Sequence, residues 1–195
     1  MGWPILLALA WCVLALGFQI LSAKRLGRNP LFAPAAGSPA SGVRYAFTGA
    51  MLPQAKESVR RAPLSYAAGM TFHAGVAAAA LGRVLPNRVL AVLALAGAAA
   101  GLALLGKRLA KPQLRGLSLA DDFVSNVLAT GFAALGGAAA FAPAAARVLP
   151  WWTCALLVYV PLGKLRHCAF FFLSRYHLGL FFGRRGTFPP ATQEP

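Results

Sequence analysis

Two of the three histidines lie inside long apolar runs, an unusual setting for an imidazole. His73 sits in the stretch 64–85 and His167 in the stretch 151–174, whereas His177 falls beyond the last run. If both stretches are helices crossing a membrane in opposite directions, His73 lies about nine residues from the start of its helix. His167 lies about seven residues from the end of its own. At about 1.5 Å per residue, each imidazole is then roughly 10–14 Å from the same boundary. Two imidazoles facing each other at one depth across a helical bundle are what a six-coordinate haem iron requires. The same residues have a plainer use, since a histidine within a span can simply hydrogen-bond a neighbouring helix. Gly69 and Gly75 flank His73 and leave room beside the ring for a flat macrocycle. Lys164, Arg166, Arg60 and Arg61 lie at or near the inner boundary, where they could hold haem propionates or lipid phosphates.

Other chemistry is scarce. The acids number four, Glu57, Asp121, Asp122 and Glu194, and none falls at the centre of an apolar run. A carboxylate relay for protons or ions therefore has nothing to run on. Asp121 and Asp122 open a helix after Ser118, where negative charge suits the helix N-terminus. Cys12, Cys154 and Cys168 are scattered without a CxxC, so neither a disulfide framework nor a zinc or iron–sulfur site is expected.

The elements that must carry these residues follow from composition. Of 195 residues 58% are hydrophobic and only 12% charged, far too apolar for a soluble domain. A bilayer core about 30 Å thick takes roughly 20 apolar residues per helix. Runs at 4–23, 64–85, 89–106, 122–146 and 151–174 meet or approach that length, which predicts an all-α integral membrane domain of five transmembrane helices spanning residues 1–195. Alanine and glycine dominate the middle three runs, the small-residue composition that lets helices pack closely in a membrane.

The net charge of +15 does not point to nucleic acid, because its distribution follows the membrane. With the N-terminus outside, sixteen Lys and Arg fall on the inner side and only Arg83, Arg88 and Arg147 on the outer side. The positive-inside rule thus predicts an N-out/C-in multi-pass protein of the inner (cytoplasmic) membrane. The first run lacks a basic leader and is followed directly by Lys24–Arg25, a stop-transfer pattern expected of an N-out anchor. A loop over 24–63 and a tail over 175–195 are the expected cytoplasmic segments, and 45–61 is the part of the loop expected to lie along the membrane surface. The outer connections are too short for a catalytic domain, and no inverted repeat suggests a transporter.

At this point the motifs resemble a family. Pro161-Leu162-Gly163-Lys164-Leu165-Arg166-His167 is similar to the P-x-S-[RK]-L-x-H run of the gamma-subunit cytochrome b of respiratory nitrate reductase and of related membrane subunits of heterodisulfide-reductase-like complexes, with glycine replacing serine. Phe72-His73-Ala74-Gly75 resembles that family's F-H-x-G, and Lys107-Arg108-Leu109, Pro112, Leu114-Arg115 and Ala120-Asp121 match the loop before its fourth helix. The resemblance runs from about Tyr66 to Arg185. It implies that His73 and His167 are the axial ligands of the haem b nearer the cytoplasm. The family's second pair would stand at positions 83 and 149, which hold Arg83 and Leu149, so one haem b is expected and not two.

The resemblance further implies an electron-transfer subunit with no catalytic residues of its own, passing electrons between a cytoplasmic iron–sulfur partner and membrane menaquinone or ubiquinone. Tyr66, Ser125, Asn126 and Thr130 are candidates to hydrogen-bond the quinone, although each also suits a helix–helix contact. The alternative is a haem-free membrane anchor or scaffold of a redox complex. A small transporter or channel is a third reading.

Overall fold

The computed structural model describes residues 2–26 and 33–190, excepting the side chain of Ser58. The stretches 27–32 of the expected loop and 191–195 of the expected tail lie outside the described residues. Among the described residues every regular element is helical: α1 Trp3–Arg25, α2 Pro39–Phe47, α3 Glu57–Arg61, α4 Pro63–Gly82, α5 Arg88–Ala110, α6 Pro112–Gly116, α7 Ala120–Ala138, α8 Pro143–Tyr159 and α9 His167–Arg184. Short 3₁₀ turns occupy Gly49–Met51, Pro53–Ala55 and Lys164–Arg166.

Three of these helices, α1, α4 and α5, are long and apolar enough to cross a membrane, with mean hydropathies of 2.3, 1.2 and 2.4. The count is four if α8 and its continuation through Lys164–Arg184 form one interrupted span. The chain is thus an all-helical protein with several helices suited to a membrane.

Punctuation residues account for the helix ends. Pro63 occupies the first position of α4, where its missing N–H costs nothing. Asn87 caps α5, its side-chain oxygen accepting the Val89 N–H at 2.7 Å. Pro112 follows the end of α5 and starts α6.

Two expected spans prove to be interrupted. The run 122–146 is a helix only to Ala138, and Pro143 then begins α8. The residue before a proline is pushed out of the helical region, and Ala142 is extended at φ −133°, ψ 114°. The run 151–174 breaks after Tyr159. Pro161 can donate no backbone N–H, Leu162 and Gly163 both turn back to the Tyr159 carbonyl, and helix resumes at His167. Hydrophobicity is blind to the first break and to the Pro161–Gly163 turn, whose residues are apolar or small; only Lys164 and Arg166, just after that turn, bring charge into the second run.

The chain divides into two compact units, 1–16 with 63–166 and 17–62 with 167–195. In the first, α4, α5, α7 and α8 pack through small residues. Ala78, Ala79, Ala94, Phe132 and Leu149 form its buried cluster. Gly75 and Gly97 meet so closely that a Cβ on either would overlap the other's Cα. Large side chains point outward instead: on α1, Trp3, Leu14 and Leu7 are 74%, 72% and 62% exposed. Small residues inside and large apolar ones outside invert the soluble pattern, and this suits a lipid solvent.

In the second unit, α2 lies against α9. Gly42 sits over Gly179 and Gly183, a glycine pair four residues apart on α9, where any Cβ would meet backbone. Aromatic contacts extend the seam: Phe47 stacks on Phe172 at 6.5 Å, and Tyr45 meets Phe188 edge-on at 5.1 Å. The expected surface segment 45–61 is therefore a chain of short elements, the end of α2, two 3₁₀ turns and α3.

Candidate functional site

His73 stands on α4 with an exposed side chain. Its Nδ1 lies 2.7 Å from the Gly69 carbonyl, one turn earlier on the same helix. A carbonyl can only accept, so Nδ1 donates, and in a neutral imidazole the lone pair is then on Nε2. A histidine that ligates a metal usually has this arrangement, its other ring N–H held by a carbonyl or carboxylate. The Phe72 ring sits edge-on to the imidazole with centroids 6.1 Å apart.

The two glycines beside His73 have different uses. Nothing approaches within 4 Å of where a Cβ at Gly69 would stand, so that side of α4 is open. Gly75, two residues on and hence roughly 200° around the helix, is buried against Gly97 of α5. Its lack of a side chain serves helix packing, which corrects the expectation that it makes room for a macrocycle.

His167 is exposed and is the first residue of α9, directly after the 3₁₀ turn Lys164–Arg166. The depth expected for it assumed one unbroken helix over 151–174. With the break after Tyr159, that arithmetic no longer sets its position. His73 and His167 belong to different compact units. His177, on the other turns of α9, is half-buried.

Among the basic residues expected to face propionates, Lys164 is tied to Asp122, Nζ to Oδ2 at 2.7 Å, and Arg61 to Glu57 at 2.6 Å. Arg60 and Arg166 are exposed. The Lys164 pair belongs to a larger polar cluster where α5 ends, α7 begins and α8 ends. Asp122 also takes the Leu119 N–H at 2.9 Å, which caps α7, and lies 3.4 Å from the Arg108 guanidinium. Arg108 donates to Ser118 Oγ at 2.8 Å, and Lys107 donates to Ser65 of α4.

Asp121 does not cap its own helix. Its carboxylate accepts the Tyr159 hydroxyl, the Ser125 hydroxyl at 3.1 Å and the Lys164 N–H at 2.9 Å. It therefore closes the Pro161–Gly163 break from the side. Gly163 is buried there, and a Cβ at this position would strike the Tyr159 ring and Asp121. The run Pro161–His167 is thus an interruption held by a distant carboxylate. By sequence alone both acids suit helix caps, and Tyr159 carries no local mark of its part in the site. The only local signal was Ser125 one turn after Asp121.

Three of the residues considered for quinone are engaged within the first unit. Besides Ser125, Asn126 donates to the Gly101 carbonyl of α5 at 3.4 Å and accepts from Thr130 at 3.2 Å. Ser125 and Thr130 are buried. Tyr66 is half-buried on α4. Compared with known proteins, the chain matches no family model, and no curated protein or solved structure is significantly similar to it.

Proposed function

We propose that the chain is a multi-pass membrane subunit of the cytochrome b type, oriented N-out/C-in in the inner membrane, with His73 and His167 as axial ligands of one haem b. The observation that carries this reading is the His73 Nδ1 hydrogen bond to the Gly69 carbonyl at 2.7 Å, the backbone-held ring N–H usual for a metal-ligating histidine. When bound, the haem supplies one-electron chemistry between a cytoplasmic iron–sulfur partner and menaquinone or ubiquinone. Arg60 and Arg166, exposed and cationic, are the residues suited to neutralise propionates.

The test is a reduced-minus-oxidised absorption spectrum of the purified chain, with haem quantified per chain. One b-type haem and one iron per chain are expected, lost in His73→Ala and in His167→Ala and retained in His177→Ala. Normal haem content in either ligand variant sinks the assignment, and two irons per chain contradict the single-haem reading.

A haem-free anchor for a redox complex is the second reading. Two of the four candidate propionate cations, Lys164 and Arg61, already have carboxylate partners, which is the observation in its favour. A spectrum without haem, from protein made with ample haem supply, selects it.

A further inference from the structure

The second compact unit contains an open groove of about 640 Å³ between the last turns of α1 and the middle of α9. Ile20, Ala23 and Lys24 form one wall, and Phe172, Leu173, Tyr176 and His177 form the other. Its volume falls in the range of small-molecule sites, about 300–1,000 Å³. Each helix contributes one apolar turn and one polar turn. Ile20 and Lys24 are four residues apart on α1, as are Phe172 and Tyr176, and Leu173 and His177, on α9, so each pair shares a helix face. The Tyr176 and His177 rings meet edge-on at 5.6 Å.

Lys24 lies where the apolar length of α1 gives way to charge, the level at which a spanning helix meets the headgroups. No carboxylate among the described residues pairs with it. Glu57 is bound to Arg61, Asp122 to Lys164 and Arg108, and Asp121 to Tyr159, Ser125 and the Lys164 N–H. With nineteen Lys and Arg against four acids in the sequence, and the three described acids engaged elsewhere, the described residues supply no counter-charge to this groove. A free phosphate would satisfy Lys24, Tyr176 and His177 but leave Ile20, Phe172 and Leu173 without a use.

We propose that this groove holds one phospholipid with an anionic headgroup, its phosphate against Lys24, Tyr176 and His177 and an acyl chain along Ile20, Phe172 and Leu173. The site does not depend on haem. A lysine near the membrane surface favours anionic lipid by about fivefold, which sets the size of the effect.

The full-length chain, purified in neutral detergent, is offered equal amounts of phosphatidylglycerol and phosphatidylcholine with matched acyl chains. Retained lipid is then counted by native mass spectrometry. One phosphatidylglycerol per chain is expected, preferred about fivefold over phosphatidylcholine. Lys24→Gln should bring the ratio close to one, Lys24→Arg should keep it, and Leu173→Ser should weaken retention of both lipids. Equal retention by the unaltered chain overturns the proposal, as does a preference that survives Lys24→Gln. Displacement of the retained lipid by inorganic phosphate would instead assign the groove to a free anion.

Discussion

Asp121 offers the most direct test of how the helical break is held. Its carboxylate accepts from Tyr159, from Ser125 and from the Lys164 backbone, joining the start of α7 to both sides of the Pro161–Gly163 interruption. A hydrogen bond to a charged group contributes about 1.5–3 kcal/mol. Ser125 can turn its hydroxyl elsewhere, but Asp121→Ala strands the Tyr159 hydroxyl and the Lys164 N–H. The site is only half-buried, so water recovers part of the loss, and about 3 kcal/mol is the expected cost. That is roughly a hundredfold in the unfolding equilibrium. Asp121→Asn keeps one oxygen for Tyr159 and should cost about 1 kcal/mol. Tyr159→Phe removes one donor and should also cost about 1 kcal/mol. Because the two residues share a bond, the double variant should recover about 1.5 kcal/mol relative to the sum of the singles. Reversible unfolding in mixed micelles of rising dodecyl sulfate content, followed by circular dichroism, measures all four proteins. Additivity within about 0.5 kcal/mol would refute the coupling and leave the break to proline and glycine alone.

Three further outcomes follow from the packing. Gly97→Val places a side chain on the Gly75 backbone and should cost at least about 1–3 kcal/mol in the same titration, whereas Gly106→Val, with open space beside it, should be far milder. Gly42→Leu collides with Gly179 and Gly183, so α2 should come off α9; faster amide exchange across 39–47, with α4 and α5 unchanged, is the readout. Lys164→Gln should cost less than about 1 kcal/mol despite the short ion pair, since the lysine side chain is 47% exposed and Arg108 still faces Asp122.

How much of this was legible in the sequence depends on the range of the physics involved. Length and hydropathy mark α1, α4 and α5 to within a few residues, because a membrane span needs only a long run without charge. The starts of α4 and α5 are equally local, set by Pro63 and Asn87. The runs at 122–146 and 151–174 failed as single helices for a reason also present in the sequence, namely Pro143 and Pro161. Proline alone, however, does not decide between a break and a tolerated kink. Pro150 lies within α8 and the helix continues past it. What distinguishes Pro161 is its surroundings: Gly163 gives up its side chain to the Tyr159 ring, and Asp121, some forty residues earlier, supplies the acceptor that the broken turn needs.

The same distinction applies to the histidines. Their residue type and their place within apolar runs are visible in the sequence, and that was enough to single out His73 and His167. The His73 hydrogen bond was not visible, because it depends on a side-chain rotamer that lets Nδ1 reach the Gly69 carbonyl. Nor was the division of labour between two glycines six residues apart, one left open beside the imidazole and one consumed by α5. A helix rotates by about 100° per residue, so neighbours in sequence face different solvents. Gly75 could not serve both the packing with Gly97 and a macrocycle beside His73. On the proposed haem assignment the macrocycle lies on the Gly69 side, so enlarging Gly69 to valine should impair haem retention where an equally bulky change at Gly75 acts first on the α4–α5 contact. Haem content measured beside thermal stability separates the two, and equal effects of both changes on haem at unaltered stability would contradict this assignment of faces.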